Sequence, residues 1–280
     1  MSTAPATAES QLDWERRTAK LAGAAALLSA LFAVAGTAVQ IGLIKSPPDN
    51  EREALIRFDE HRSEFLLSYG LQAVSYFLLA GALFYLLRAT LHRRPEVPAF
   101  TTVLLLLAPL LLAVGGLLNQ LDLSDAADEF VGSGERSESR ADDLLEDRNV
   151  VGGAIGLGGM LCLALSLVLV SLNAMRAGLL SRFMGWLGVV VGALLILPLL
   201  PGGQSTVQIF WVAALGVLFL GRWPGGRGPA WETGEATPWP SAVDAREDAD
   251  AERVGDAGGE TQAEEPEPPA RKRSRKKKRR

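Results

Sequence analysis

The most constraining feature of this 280-residue chain is a series of six apolar stretches without Asp, Glu, Lys, Arg or His. About 20 apolar residues in a helix cross a bilayer core roughly 30 Å thick, since each residue rises about 1.5 Å. Four stretches have that length, and the last two, of 18 and 17 residues, lie at its lower limit. The sequence therefore predicts an all-α, polytopic integral membrane bundle with six transmembrane helices at residues 21–44, 66–87, 99–118, 150–172, 183–200 and 205–221.

Charged residues are segregated from these stretches, since the chain is 48% hydrophobic and 21% charged with a net charge of −4. Such segregation is typical of a membrane protein with polar loops and tails. The single cysteine, Cys162, excludes an internal disulfide and lies mid-span. His61 and His92 are the only histidines, and His92 is expected on the side opposite the acidic loops. We therefore expect no catalytic residues, no metal site and no cofactor, and predict a protein that is not an enzyme.

Basic residues mark alternate connections, which predicts that both termini, including residues 1–20, are cytoplasmic. Residues 45–64 and 119–149 fall on the other side, and the second segment holds ten acids and three arginines. A cleaved signal peptide ending near Ala33-Val34-Ala35 is the alternative for the first stretch, but the apolar run continues too far beyond that site. The residues expected on the cytoplasmic side are Arg16, Arg17, Lys20, Arg88, Arg93, Arg94, Arg176, Arg182, Arg222 and Arg227.

The two outer segments each predict a short helix. One follows Asp49-Asn50 and would place Leu55, Ile56 and Phe58 on the membrane surface. The other is a charged helix over residues 135–147 that enters the fourth span. The acidic residues match no calcium-binding pattern, so we interpret them as a solvated surface, with weak divalent-cation binding as the alternative.

Uncharged polar residues of several spans map to the outer third of the bilayer. Tyr69, Gln72 and Tyr76 recur at i, i+3 and i+7, which places them on one helix face. Two interpretations stay open: bonding between helices, which we favour, and an outward-facing pocket for a small neutral ligand or lipid headgroup. The candidate pocket residues are Gln40, Tyr69, Gln72, Tyr76, Asn119 and Gln208.

Glycine pairs predict close helix contacts. Gly152 and Gly156 share one face of the fourth span, as do Gly188 and Gly192 in the fifth. We expect packing within the bundle, with a homo-oligomer through these glycine-rich faces as the alternative.

The composition changes abruptly at residue 222. Trp223, Trp231 and Trp239 recur among prolines, which predicts an irregular segment held at the inner membrane surface by tryptophans. Residues 241–270 are acidic and predicted to be disordered. The last ten residues include nine basic ones, Arg271, Lys272, Arg273, Arg275, Lys276, Lys277, Lys278, Arg279 and Arg280. They predict binding to anionic inner-leaflet lipid, with non-specific RNA or ribosome contact, or a role in topology alone, as alternatives.

Residues 173–185 (NAMRAGLLSRFMG), 221–226 (GRWPGG) and 229–232 (PAWE) resemble uncharacterised multi-pass membrane proteins of high-GC bacteria, which often end in a basic tail. The resemblance implies a bacterial inner (cell) membrane location and no catalytic residues. The functional hypothesis is a membrane scaffold or interaction protein whose cytoplasmic tail, residues 222–280, contacts anionic lipid or other polyanions. The alternative is a transporter or small-ligand binder that uses the outer polar pocket.

Overall fold

The computed structural model describes residues 8–43, 48–146, 150–196, 203–224 and 226–239, and all regular secondary structure within them is helical. The acidic segment and the basic residues Arg271 to Arg280 lie outside the described residues. The helices are α1 Ala8–Leu43, α2 Glu51–Glu60, α3 Arg62–Arg93, α4 Phe100–Gly132, α5 Glu138–Glu146, α6 Val150–Arg176, α7 Arg182–Ile196, α8 Gly203–Phe219 and α9 Ala230–Thr233.

Four helices, α1, α3, α4 and α6, are long and apolar enough to cross a membrane. Large apolar side chains remain exposed on them, including Leu21 at 72%, Val103 at 61% and Leu157 at 57%. Exposed apolar surface of this extent marks a face that contacts lipid or another apolar partner. Helices α7 and α8 are apolar but contain only 15 and 17 residues. At about 1.5 Å per residue they reach roughly 22 and 26 Å. The structure thus shows four clear spans and two shorter apolar helices.

Two helices extend well beyond the predicted spans. The first span was expected to begin at residue 21, but α1 begins at Ala8; the third was expected to end at residue 118, but α4 continues to Gly132. Neither extension, residues 8–20 or 119–131, contains a glycine or proline to end the helix. Both extensions also bury residues against other helices, so helical structure persists past the apolar limit.

The long helices and the two shorter apolar ones pack in a ring. Helix α1 contacts α3, α3 contacts α4, α4 contacts α6, α6 contacts α7, α7 contacts α8, and α8 returns to α1. Glycines permit the closest approaches. A Cβ added at Gly115 of α4 would lie 2.6 Å from the Cα of Gly156, and one added at Gly159 would lie 2.7 Å from the backbone nitrogen of Leu112. Backbones therefore meet almost directly along α4 and α6.

The predicted glycine pairs also contribute to packing within the chain. Gly152 faces α4 near Asn119, and Gly192 of α7 faces the carbonyl of Ala164 in α6. A Cβ added at Gly188 would lie 2.6 Å from the Trp211 ring of α8. Packing within the bundle accounts for these glycines, and a homo-oligomer through the same faces stays a prediction.

At one end of the bundle, α2, the last turns of α4 and α5 form a small acidic cap with its own apolar core. The core consists of Leu55, Phe58, Ala126, Ala127, Phe130, Ala141 and Leu144. The expectation that Leu55 and Phe58 rest on the membrane surface is wrong, because they are 0% and 2% exposed inside this core. The helical extension of α4 supplies the apolar face that covers them. Of the helix predicted over residues 135–147, residues 138–146 are helical and form α5, and its predicted entry into the fourth span lies outside the described residues.

Charged side chains tie the acidic cap together at its surface. Arg62 forms an ion pair with Asp128 at 2.6 Å, and Arg140 pairs with Glu129. The backbone N–H of Asp49 donates to Glu53 Oε2 at 2.9 Å. This bond, together with the neighbouring Arg57 guanidinium, lowers the pKa of Glu53. The acids of the cap are thus partly paired with arginines, although they outnumber them.

Candidate functional site

Buried serines fix α1 against α3. Ser29 Oγ donates to the Ser75 carbonyl, and Ser75 Oγ donates to the Ser29 carbonyl, each at 2.9 Å. Ser68 Oγ donates to the carbonyl of Gly36 at 2.9 Å. Reciprocal bonds of this kind hold helices together where apolar burial gives no drive. They use one face of α3 and leave the neighbouring face, with Tyr69, Gln72 and Tyr76, to line a pair of cavities.

The larger cavity has a volume of about 440 Å³ and lies between α3, α4 and α6. Tyr69, Gln72, Tyr76 and Asn119 line it together with Gly115, Gly116, Gly152, Gly153 and Gly156. Because glycines have no side chains, the α4–α6 contact contributes bare backbone to this wall. The volume falls in the range of small-molecule sites, about 300–1,000 Å³.

The smaller cavity, about 130 Å³, is more enclosed. Thr37 of α1, Gln72 and Tyr76 of α3 and Gln208 of α8 supply its polar groups, and apolar residues such as Leu112 complete it. Gln72 and Tyr76 line both cavities. The two spaces therefore adjoin at one amide and one phenol.

Five of the six predicted pocket residues line one or both cavities. The exception is Gln40, which is exposed and lines neither. Thr37, three residues earlier on α1, lines the smaller cavity in its place. Thr37 is not among the predicted pocket residues, which are amides and tyrosines, although a threonine in an apolar helix is a comparable signal.

Tyr69 forms a fixed wall of the larger cavity. Its hydroxyl donates to the carbonyl of Ala113 in α4. Its ring lies over Gly116, where an added Cβ would be 2.5 Å from ring atom Cε2. The hydroxyl is already engaged, so Tyr69 shapes the cavity.

The cavities are uncharged, since none of the residues that line them is Asp, Glu, Lys, Arg or His. A bare charge transferred into such a place is strongly disfavoured, whereas a hydroxyl or amide needs one or two partners. The described part of the chain also contains no group of three His, Cys, Asp or Glu side chains placed to hold a metal ion. The lining thus suits an uncharged molecule.

The opposite end of the bundle from the acidic cap contains a buried ion pair. Arg93, with a side chain 0% exposed, forms two bonds with the Glu15 carboxylate at 2.6 and 3.0 Å. Its other N–H groups donate to the carbonyl of Ala230 at 2.7 and 3.2 Å and to that of Ala89 at 2.9 Å. All five guanidinium donors are used. Gln11 also donates to Glu15 at 3.0 Å.

Aromatic rings surround this ion pair and bring the C-terminal segment into the bundle. Trp231 of α9 stacks on Tyr85 with ring centroids 5.7 Å apart and donates from Nε1 to the Leu179 carbonyl at 2.9 Å. Phe219 meets both rings edge-on. The expectation of an irregular segment on the membrane surface is wrong at Trp231, which is 7% exposed and part of the core. Two N–H groups of Arg93 donate to the carbonyl of Ala230, and these bonds hold the segment in the core.

This arginine-rich end, residues 14–20, 88–94, 176–182 and 222–231, collects the basic residues that the sequence analysis assigned to one side. Contacts between Glu15, Arg93, Ala230 and Leu179 show that the four segments meet. The arginine-rich end and the acidic cap therefore lie at opposite ends of the long helices.

Comparison with the curated proteins and with the solved structures finds no match. A family model does match, over residues 21–223, which include the six apolar stretches and both cavities. That range is more than half of the chain, and the family is described as a domain of unknown function, DUF4386. The chain therefore belongs to the DUF4386 family.

Proposed function

We propose that this protein is a six-span membrane protein that binds a small uncharged amphiphile in the two adjoining cavities, without transforming it. The observation that carries the proposal is the position of Gln72 and Tyr76, which line both spaces. The enclosed space offers amide and hydroxyl groups, and the larger space offers mainly apolar surface. A ligand with an uncharged polar head and an apolar body satisfies both.

The proposed topology places the acidic cap outside and the arginine-rich end in the cytoplasm of a bacterial cell. It is supported by the density of arginines in the short connections and by their convergence at one end. The larger cavity then lies toward the outer half, since Asn119, which lines it, is the first residue of the acidic extension of α4. The ligand enters from the outer leaflet or from the outside medium.

The test uses the full-length protein in detergent and a monoacylglycerol as probe, with the fatty acid of equal chain length as the charged comparison. Gln72→Leu removes a polar partner from both cavities and is expected to weaken monoacylglycerol binding about tenfold, the effect of one lost hydrogen bond. Gln40→Leu is the matched control, because Gln40 is exposed and lines neither cavity. Its affinity should equal that of the wild type.

Three outcomes would count against the proposal. Equal losses in the Gln72 and Gln40 variants would show that the cavities do not hold the probe. A marked loss of thermal stability in Gln72→Leu with unchanged binding would assign Gln72 to interhelical bonding. Tighter binding of the ionised fatty acid than of the monoacylglycerol would contradict the inference of an uncharged ligand.

A second proposal concerns the basic residues Arg271 to Arg280. We propose that they contact anionic inner-leaflet lipid, so that the protein also acts as a membrane scaffold or interaction protein. The specific support is that α9 is buried at the arginine-rich end, so that the chain up to Trp239 lies on the side proposed to be cytoplasmic. Each basic residue near an anionic surface contributes about 1 kcal/mol.

Deletion of residues 271–280 tests this second proposal. Binding of the full chain and of the deletion variant to anionic liposomes and to RNA is compared at several salt concentrations. Loss of liposome binding alone supports lipid contact. Loss of RNA binding alone supports a nucleic-acid partner instead, and unchanged binding to both leaves a role in topology.

A further inference from the structure

A third cavity, of about 420 Å³, lies at the turn between α6 and α7, away from the two cavities described above. Arg176 and Arg182 line it from the two ends of the turn, with Met175, Leu180 and Trp186 beside them. Pro238 and Trp239 form the opposite wall. It lies at the arginine-rich end, and nothing in the proposed function uses it.

The wall formed by the C-terminal segment is built into the fold. Gly178 has a φ of +76°, and a Cβ added there would lie 2.7 Å from the carbonyl carbon of Thr237. Only glycine lets the segment pass this close to the turn. The bond from Trp231 Nε1 to the Leu179 carbonyl holds the same segment one residue further along the turn. The C-terminal segment that contributes Pro238 and Trp239 to the cavity is thus held against the turn between α6 and α7.

The only charged side chains that line the cavity are those of two arginines. Arg176 and Arg182 are exposed, and within the described residues neither side chain forms an ion pair or a hydrogen bond. The residues lining the cavity include no acid, and residues 173–186 contain none. The planar guanidinium group matches the oxygens of a phosphate and binds them in pairs. Two such groups at one cavity favour a phosphate-bearing ligand.

An apolar stripe on α7 leads away from the arginines. Phe183, Trp186 and Val190 follow at i, i+3 and i+7, and they are 63%, 58% and 46% exposed. Aromatic rings prefer the headgroup level of a bilayer, and the stripe continues from there along the apolar helix. A soluble phosphate would make no contact with this stripe, whereas the acyl chain of a lipid would pack along it.

We propose that this cavity binds an anionic phospholipid, with its phosphate on Arg176 and Arg182 and an acyl chain along the α7 stripe. Basic pockets between helices on the cytoplasmic side of membrane proteins are suited to such headgroups. The site is distinct from the basic residues Arg271 to Arg280, because the residues that line it lie between Met175 and Trp239.

The experiment counts lipids bound to the full-length protein by native mass spectrometry from detergent, during titration with phosphatidylglycerol or with zwitterionic phosphatidylcholine. The Arg176→Gln/Arg182→Gln variant is expected to bind phosphatidylglycerol about 30-fold more weakly, the effect of two basic residues near an anionic headgroup. Its affinity for phosphatidylcholine should be unchanged. Residues 271–280 are present in every variant, so their contribution to lipid binding is constant.

Arg16→Gln/Arg17→Gln is the matched control. These arginines lie at the same end, are exposed, and are outside the cavity, so the variant loses the same charge. An equal loss of phosphatidylglycerol in both double variants would overturn the proposal in favour of general charge attraction. Equal affinity for glycerol phosphate and for phosphatidylglycerol would overturn it in favour of a soluble phosphate. A loss in Trp186→Ala for the lipid, but not for glycerol phosphate, would support the acyl-chain contact.

Discussion

Replacing Glu15 by alanine would leave the Arg93 guanidinium buried without its counter-ion. In the folded protein this guanidinium is 0% exposed and forms two of its five hydrogen bonds with Glu15. The remaining three bonds go to main-chain carbonyls, which carry no formal charge. Alanine therefore removes the charge that balances Arg93 and opens space beside it.

The expected cost is about 3–5 kcal/mol of unfolding free energy, as found when one partner of a buried ion pair is removed. The double variant Glu15→Leu/Arg93→Met removes both charges and fills part of their volume. The Ala230 carbonyl keeps the backbone N–H of Gly234, at 3.2 Å, as a donor. We therefore expect the double variant to be more stable than Glu15→Ala alone, since no charge is left buried.

The assay is equilibrium unfolding by SDS in mixed micelles, monitored by tryptophan fluorescence, because Trp231 lies beside the ion pair. Arg94→Leu is the control: Arg94 is the adjacent residue, and its partner Glu96 has a side chain 76% exposed. Its loss should cost less than about 1 kcal/mol. If Glu15→Ala costs no more than Arg94→Leu, or if the double variant is the least stable of the three, the ion pair is not what holds this end together.

Two further predictions concern packing and pH. Gly115→Ala places a Cβ 2.6 Å from the Cα of Gly156, so it should lower thermal stability by about 1–3 kcal/mol, whereas Gly81→Ala, which meets nothing within 4 Å, should not lower it. The lowered pKa of Glu53 predicts that its contribution to the acidic cap is present above its ordinary value and lost as the pH falls through the lowered one. The protection factors of the α2 amides, which correct for the slower intrinsic exchange at low pH, should therefore fall on acidification more in the wild type than in Glu53→Gln, and an equal fall would show that Glu53 is not responsible.

The helical content and the positions of the long helices follow from the sequence, because an uncharged run of 20 or more residues has few alternatives to a helix in lipid. Helix ends were less predictable. The apolar runs indicated where lipid contact ends, but α1 and α4 continue as polar helices with one buried face. The acidic cap depends on contacts between α2, α4 and α5. The sequence around Leu55 and Phe58 does not indicate these contacts.

The cavity residues were partly predictable. The i, i+3, i+7 spacing of Tyr69, Gln72 and Tyr76 placed them on one face, and that face lines the cavities. The role of Gln40 was not predictable, since the rotation of α1 is set by Ser29 and Gly36 against α3. The ion pair of Glu15 and Arg93 was also missed. Arginines in short connections indicate which side of the membrane a connection lies on. Their number does not indicate which arginine is buried.

The contact of Arg93 with Ala230 has a consequence for the order in which the protein is completed during synthesis. Residue 93 emerges from the ribosome long before residue 230, and Glu15 is then already present to balance its charge. Two of the five guanidinium donors await the carbonyl of Ala230, which arrives only after every apolar helix has been made. In the proposed topology, the cytoplasmic end of the bundle is thus completed last, when the segment with Trp231 packs against it. A chain interrupted before α9 would lack the Ala230 carbonyl that accepts from two of the Arg93 N–H groups, a difference between an incomplete protein and a finished one.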